Sequence, residues 1–275
     1  SIRALHRHPL AARSAGGGGI LYTPRARSGT GAAGGIDGRS GDAPRFGCAG
    51  GAATPVSRAA APGARPDPGD VYDAAYYASG CGPRPYARDA VWLGFFGAVA
   101  DRIAADIAPR TVLDAGCAMG LLVECLRARG IDAVGVDVSA YAVGQAAEEV
   151  RPHLRVGSIL EPLGGPYDLV TCIEVLEHLD AADGEAAIAN LCAAADDVLF
   201  SSSPSDFDEP THRNVQPPEY WALAFARLGY YRDTAFDASF LTPWAVRFRR
   251  MAAPPSADLE PVLAGYERRL WALDQ

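Results

Sequence analysis

From residue 89 onward, apolar and polar positions alternate between two periods. Apolar residues recur at helical spacing over 89–107 (DAVWLGFFGAVADRIAADI), and Pro109 closes that run. Thr111–Ala115 is a short β-branched and apolar run that breaks into Gly116, the pattern of a buried strand. The same alternation then repeats. A helix over Leu121–Arg129 is stopped by Gly130; a strand over Ala133–Val138 and a helix over Ala140–Val150 follow. Next come a brief strand at Leu154–Val156, a strand at Asp168–Ile173, a helix over Gly184–Ala194 and a strand at Asp197–Ser202. A helix over Pro218–Leu228, ended by Gly229, precedes two closing strands that finish near Arg250.

Strands alternating with helices at this spacing predict an α/β fold. It is a Rossmann-like, seven-stranded, mostly parallel sheet with helices on both faces. Right-handed crossovers place the strand C-termini along one edge, where ligands bind in such sheets. The candidate chemistry falls at those strand ends.

The segment over 1–69 breaks the pattern. It carries nine Arg against three acids and holds 15 of the 30 Gly, with two aromatics, Tyr22 and Phe46. So little apolar surface cannot offset the entropy of ordering, so the segment reads as a disordered Gly/Pro/Arg-rich extension. Its acid-free start is transit-peptide-like, yet it lacks the apolar core of a secretory signal, and a linker is the simpler reading. The expected organisation is thus an extension over 1–69, a folded domain over 70–250 with an N-terminal lid, and a helical tail over 251–275.

Charge sharpens this. The chain has no Lys, and its net charge of −8 combines a basic extension with a remainder holding 16 Arg against 30 acids. A folded part that acidic disfavours nucleic acid as partner. No run of 18 uncharged apolar residues exists, which disfavours a membrane span. The six Cys form no C-x-x-C pair and no zinc spacing, and read as reduced thiols in a cytoplasmic protein.

Residues 112–120 (VLDAGCAMG) carry a strand into a Gly-containing turn and a helix, so backbone N–H groups open onto a space at the helix N-terminus. The spacing is Asp-x-Gly-x-x-x-Gly rather than the dinucleotide fingerprint G-x-G-x-x-G. A carboxylate at Asp114 repels phosphate but suits a ligand bearing an ammonium group. Asp137 ends the next strand, where an acid accepts both hydroxyls of a ribose.

With the later TCIEVLEHL (171–179), these segments resemble the S-adenosylmethionine site of class I methyltransferases, over roughly Tyr72–Arg250. The resemblance implies that Asp114, Gly116, Cys117, Ala118 and Gly120 line the methionine part and that Asp137 holds the ribose. It also implies that Val138 packs on adenine, Ser158 and Ile159 sit at the adenine edge, and Glu174 lies beneath the cofactor. Two positions depart from the family pattern. Ala118 stands where the family has Gly, which predicts negative φ there. Ser158 replaces the usual Asp near the adenine amino group.

Residues after the fourth strand face the methyl group in this fold. They read Glu174-Val-Leu-Glu177-His178, and His212 follows the fifth strand. In one reading His178 or His212 is a general base, with a carboxylate holding its tautomer and Glu177 among the catalytic residues. In another, Glu174, Glu177, His178 and His212 bind a divalent metal, Mg or Mn, as the similar spacing in metal-dependent quinone-biosynthesis O-methyltransferases implies. In a third, His178 packs under the loop without chemistry. The Tyr-rich stretch 72–88 reads as a lid whose Tyr77, Tyr86 and Arg88 close over cofactor and substrate.

The segment from Ser201 to Trp244 (SSSPSDFDEPTHRNVQPPEYW … FDASFLTPWAVRFRR) resembles methyltransferases that occur with, or fused to, bacterial glycosyltransferases. That implies a hydroxyl of a sugar, glycan or glycosylated metabolite as acceptor, and a glycosyltransferase as possible partner. Trp244 and the acids at 206–209 are candidates to bind a sugar, whereas Trp221 lies on a helical apolar stripe that reads as core. The alternatives are O- or C-methylation of a small aromatic or isoprenoid metabolite, and a cofactor-binding partner of a glycosyltransferase without turnover.

Overall fold

A computed structural model describes residues 68–82, 84–251 and 260–273. The extension expected over 1–69 lies outside the described residues except for Pro68 and Gly69, which open a helical turn over Pro68–Val71.

Helix α1 spans Ala90–Arg102, where the Asp89 side chain caps it by accepting from the backbone N–H groups of Val91 and Trp92, both at 2.9 Å. Its last turn widens over Ile103–Ile107 and stops at Ala108 in the left-handed region (φ 54°), just before Pro109. The next elements are β1 (Thr111–Ala115), α2 (Leu121–Arg127), β2 (Asp132–Asp137), α3 (Ala140–Gly144) and β3 (Leu154–Val156). Then follow β4 (Leu169–Ile173), α4 (Ala181–Ala194), β5 (Asp197–Ser201), α5 (Pro218–Ala226), β6 (Tyr230–Arg232), β7 (Val246–Arg250) and α6 (Glu260–Leu273).

The strands form one seven-stranded sheet in the order β3-β2-β1-β4-β5-β7-β6. Strands β1 to β5 pair in parallel, and β7 runs antiparallel to both β5 and β6. The chain order reverses between β1 and β4, and a crevice opens there in doubly wound sheets. Trp92, Phe95, Leu122 and Leu126 bury one face of the sheet under α1 and α2; Ile188, Leu191, Trp221 and Phe225 bury the other under α4 and α5. This is the expected α/β architecture with helices on both faces.

Two boundaries differ most from the periodic reading. Helix α3 ends at Gly144, not Val150, because Ala146 and Val150 are buried through turns that feed β3, and Pro152 cannot extend a helix. Beyond β7, α6 packs along α5, with ion pairs Arg227–Glu260 (3.1 Å) and Arg232–Glu267 (3.3 Å), so the helical part of the C-terminal tail belongs to the folded unit. Among the described residues no helix is long and apolar enough to cross a membrane. Cys81, Cys117, Cys125, Cys172 and Cys192 are buried free thiols.

Candidate active site

The turn between β1 and α2 is built around close approach. Gly116 has φ +88°, and a Cβ there would lie 2.3 Å from Val175 Cγ2, so only glycine lets the segment after β4 pack onto it. Gly120 has φ +68°, and a Cβ would lie 2.6 Å from Leu154 Cδ1. Gly116 and Cys117 donate their N–H groups to the Val136 carbonyl at 2.8 and 3.1 Å, which ties the turn to β2.

Ala118 corrects the sequence expectation: its φ is +47°, not negative. The left-handed backbone aims its N–H at Asp137 Oδ2, 2.8 Å away, and that charge-assisted bond opposes the strain, which is about 1–2 kcal/mol for a residue with a Cβ. Asp137 Oδ1 accepts from the Ser139 N–H at 2.8 Å. Burial raises the Asp137 carboxyl above the usual range, against the pull of these two backbone donors. Asp114 is also buried; burial lifts its pKa to about 7, the Asp137 charge adds to the lift, and the Thr171 hydroxyl, donating to Oδ1 at 2.7 Å, opposes it.

The residues expected at an adenine edge cluster beyond β2 and β3. Val138 is half-buried and Ile159 buried, while the Ser158 hydroxyl accepts from the Leu160 N–H at 3.1 Å and so is already engaged by its own turn. The Tyr-rich stretch folds over the same edge. Tyr77 stacks on Tyr141 with ring centres 6.0 Å apart, and Tyr86 packs against Trp92 at 4.8 Å. The Tyr72 carbonyl accepts from the Ser139 hydroxyl at 2.5 Å, which fastens the stretch beside Asp137. Arg88 departs from its expected role: its guanidinium makes a bidentate pair with Glu124 of α2 at 2.9 and 2.7 Å on an exposed face.

Beyond β4 the second group assembles. Leu176–His178 is a single helical turn that buries Leu176 and Glu177. The loop after β5 is pinned to it by backbone, the N–H groups of Arg213 and Asn214 donating to the Glu177 carbonyl at 2.7 and 2.9 Å. This pinning sets His212 beside His178, ring centres 4.7 Å apart and nearly perpendicular. Glu177, His178 and His212 each offer a ligand atom, all within 4.8 Å of one another. Burial holds the His178 imidazole neutral, its pKa down at about 3.

Glu174 does not join this group, contrary to the four-residue metal set. It adopts φ +55°, its N–H donates to the Ser201 carbonyl at 2.9 Å, and its Oε1 accepts from Trp244 Nε1 at 2.8 Å. The indole of Trp244 is therefore committed to Glu174. Trp221 is buried among Phe200 and Tyr220, the core position its stripe indicated.

Residues 94–240, more than half of the chain, match the family described as methyltransferase domain. The chain belongs to that family. It is similar to the ubiquinone biosynthesis O-methyltransferase of Methylococcus capsulatus, with 34% identity over 105 residues, covering 35% of this chain and 44% of the relative. The corresponding protein of Aromatoleum aromaticum is 34% identical over 112 residues, covering 38% and 48% respectively. The chain thus spans under half the length of these curated relatives. Among solved structures, it is similar to magnesium protoporphyrin IX methyltransferase from Synechocystis PCC 6803 with bound SAM. That match has a TM-score of 0.49 and 20% identity, covering 70% of this chain and 100% of that one.

Sequence reasoning passed over several residues of this methyltransferase domain. Thr171 and Ser139 hold the two strand-end acids and their neighbours, Thr211 contacts His178, and Tyr72 and Tyr76 set their ring edges against it, centres 5.6 and 6.4 Å away. The one available signal was position: Thr171 is the β4 partner of Asp114 in a parallel register.

Proposed function

We propose that the chain transfers the methyl group of S-adenosylmethionine to a hydroxyl of a small-molecule acceptor, with a sugar or glycosylated metabolite as the preferred class. The observation that carries this reading is the grouping of Glu177, His178 and His212 on the loops after β4 and β5, at the strand edge that holds Asp114 and Asp137. Methyl transfer from a sulfonium is an in-line displacement, so the nucleophile must be aligned and an acceptor hydroxyl must lose its proton.

In this reading Asp114 faces the cofactor ammonium and Asp137 the ribose hydroxyls, while Gly116, Cys117, Ala118 and Gly120 line the methionine part. Val138, Ser158 and Ile159 border the adenine, and Tyr77 and Tyr86 roof the site and exclude water. A neutral imidazole of the pair accepts the hydroxyl proton. For a sugar acceptor the strongest support is Phe207, 72% exposed between Asp206 and Asp208 on the loop that carries His212. A ring flanked by carboxylates suits the apolar face and hydroxyls of a sugar, whereas the Trp244 N–H is already engaged by Glu174.

A divalent cation also fits the cluster. His212 Nδ1 lies 2.6 Å from the Asp206 carbonyl and must donate to it, so in a neutral ring Nε2 carries the lone pair; that nitrogen is buried and has no hydrogen-bond partner. Glu177, His178 and His212 would hold Mg²⁺ or Mn²⁺, whose chemistry there is to lower the pKa of the acceptor hydroxyl. A phenolic acceptor is the second reading, supported by the relatives named for ubiquinone biosynthesis.

The test is a methyl-transfer screen with S-adenosylmethionine across sugar nucleotides, glycans and phenols, read by mass. Gain of one methyl on a sugar hydroxyl is expected; gain on phenols alone supports the second reading. Cofactor binding without product from any class overturns the enzymatic reading in favour of a binding partner. Turnover unchanged by EDTA restricts the cluster to base chemistry, whereas loss restored by Mg²⁺ or Mn²⁺ supports the cation.

A further inference from the structure

Among the acids at 206–209 that the sequence offered to a sugar, one is buried; it lies beside His212 and reaches His178 through Thr211. Glu209 is 2% exposed. Its Oε1 accepts from the Thr211 N–H at 3.0 Å, and the Thr211 hydroxyl lies 3.1 and 3.2 Å from its two carboxylate oxygens. The same hydroxyl lies 2.9 Å from His178 Nδ1. Its Oε2 sits 3.7 Å from His212 Nε2.

The direction of each hydrogen bond in this chain follows from donor inventory. A carboxylate only accepts, so the single Thr211 hydroxyl proton goes to Glu209, and the Tyr76 hydroxyl, also hydrogen-bonded to Thr211, donates to its oxygen. The Thr211 oxygen is then left as an acceptor toward His178, and Nδ1 must carry the ring proton. A neutral imidazole has one N–H, so its lone pair falls on Nε2.

We propose that Glu209, acting through Thr211, fixes His178 as the Nδ1–H tautomer and leaves Nε2 as its accepting atom. Both are positioning residues, and their effect on turnover rests on the methyl-transfer reading above. The relay has the logic of the carboxylate that orients a catalytic or metal-binding histidine, with a hydroxyl interposed. It also accounts for a buried carboxylate on an otherwise exposed loop. Asp206, Phe207 and Asp208 point to solvent or sit half-exposed, while Glu209 turns inward.

The experiment records proton–nitrogen correlation spectra of the full chain labelled with nitrogen-15 histidine, using His178→Gln to assign the His178 signals among the five histidines. Wild type is expected to show a protonated Nδ1 and a bare Nε2 at His178. Thr211→Val is expected to lose that state, Thr211→Ser to keep it, and Glu209→Gln to mix the tautomers, because an amide both donates and accepts. Glu209→Gln preserves side-chain size and carries the test if Thr211→Val does not fold. In turnover, Thr211→Val lowers kcat on the order of 10–100-fold with cofactor Kd unchanged, and Thr211→Ser restores it.

An Nε2–H His178 in wild type, or a tautomer unchanged in both Thr211→Val and Glu209→Gln, overturns the proposal. Full-rate methylation by both variants overturns it while leaving the methyl-transfer reading intact. The tautomer is read without turnover, so the expected spectra with no acceptor methylated support the relay and overturn the reaction instead.

Discussion

The two halves of the site are built differently. On the β1–β2 side, the glycine turn and both acids come from one βαβ unit that runs from Thr111 to Asp137, and backbone close approach does most of the shaping. On the β4–β5 side, the turn over Leu176–His178 and a loop distant from it in the chain meet through two backbone donors to the Glu177 carbonyl, and side chains do the shaping. The first half depends on the absence of side-chain atoms and the second on their hydrogen-bonding. Substitutions should therefore damage them by different routes.

The largest effect tests the backbone half. Gly116→Ala would place a Cβ into Val175 and hold a side chain at φ +88°, and it is expected to cost about 2–4 kcal/mol in denaturant unfolding. A loss under about 1 kcal/mol would mean that Val175 moves aside and the turn is not built on close contact. The side-chain half predicts the opposite profile. His212→Ala should lower kcat ~100-fold or more while cofactor Kd measured by calorimetry stays unchanged. A matching rise in Kd would merge the halves into one functional unit.

A third prediction follows from Asp114. Its folded pKa of about 7 lies above the unfolded value of 3.8, so the folded chain holds the extra proton in that window. Stability therefore falls as pH rises from the unfolded value through about 7, where the buried carboxylate must ionise. In the proposed reading, where Asp114 faces the cofactor ammonium, it binds in its charged form. Cofactor binding should then release a proton below neutral pH and tighten as pH rises toward 7. Calorimetry in two buffers of different ionisation enthalpy measures this, and Asp114→Asn should remove the pH dependence.

The smallest effect refines the backbone half. Ala118→Gly relieves the left-handed strain at φ +47° but adds unfolded-state entropy, for an expected net gain of about 0.5–1 kcal/mol in unfolding free energy. A loss would show that the Ala118 methyl contributes packing that outweighs its backbone.

Much of the fold was legible because its strands are short apolar runs punctuated by glycine. β1 and β3 fall on Thr111–Ala115 and Leu154–Val156 as read, β2, β4 and β5 within a residue, and the closing pair finishes at Arg250. The positions of Asp114 and Asp137 at adjoining strand ends followed from the same alternation. The conformation of Ala118 did not. A residue type predicts φ by its own sterics, whereas here a tertiary hydrogen bond from the Ala118 N–H to Asp137 opposes the left-handed strain. Glu174 makes the same point: nothing local to it announces φ +55°, which is held by Ser201 and Trp244 from β5 and the loop before β7.

By itself, then, the sequence determined the layers and their order, the glycine turn, and the two acids at its rim, since each follows from local periodicity and sterics over a few residues. Tertiary structure alone decided that Glu177, His178 and His212 converge while Glu174 turns away to Trp244 and Arg88 to Glu124. It also brought Glu209 and Thr211 up behind His178. Those outcomes depend on which backbone and side-chain donors and acceptors remain unpaired once the sheet has formed. That count can only be made across segments distant in the chain.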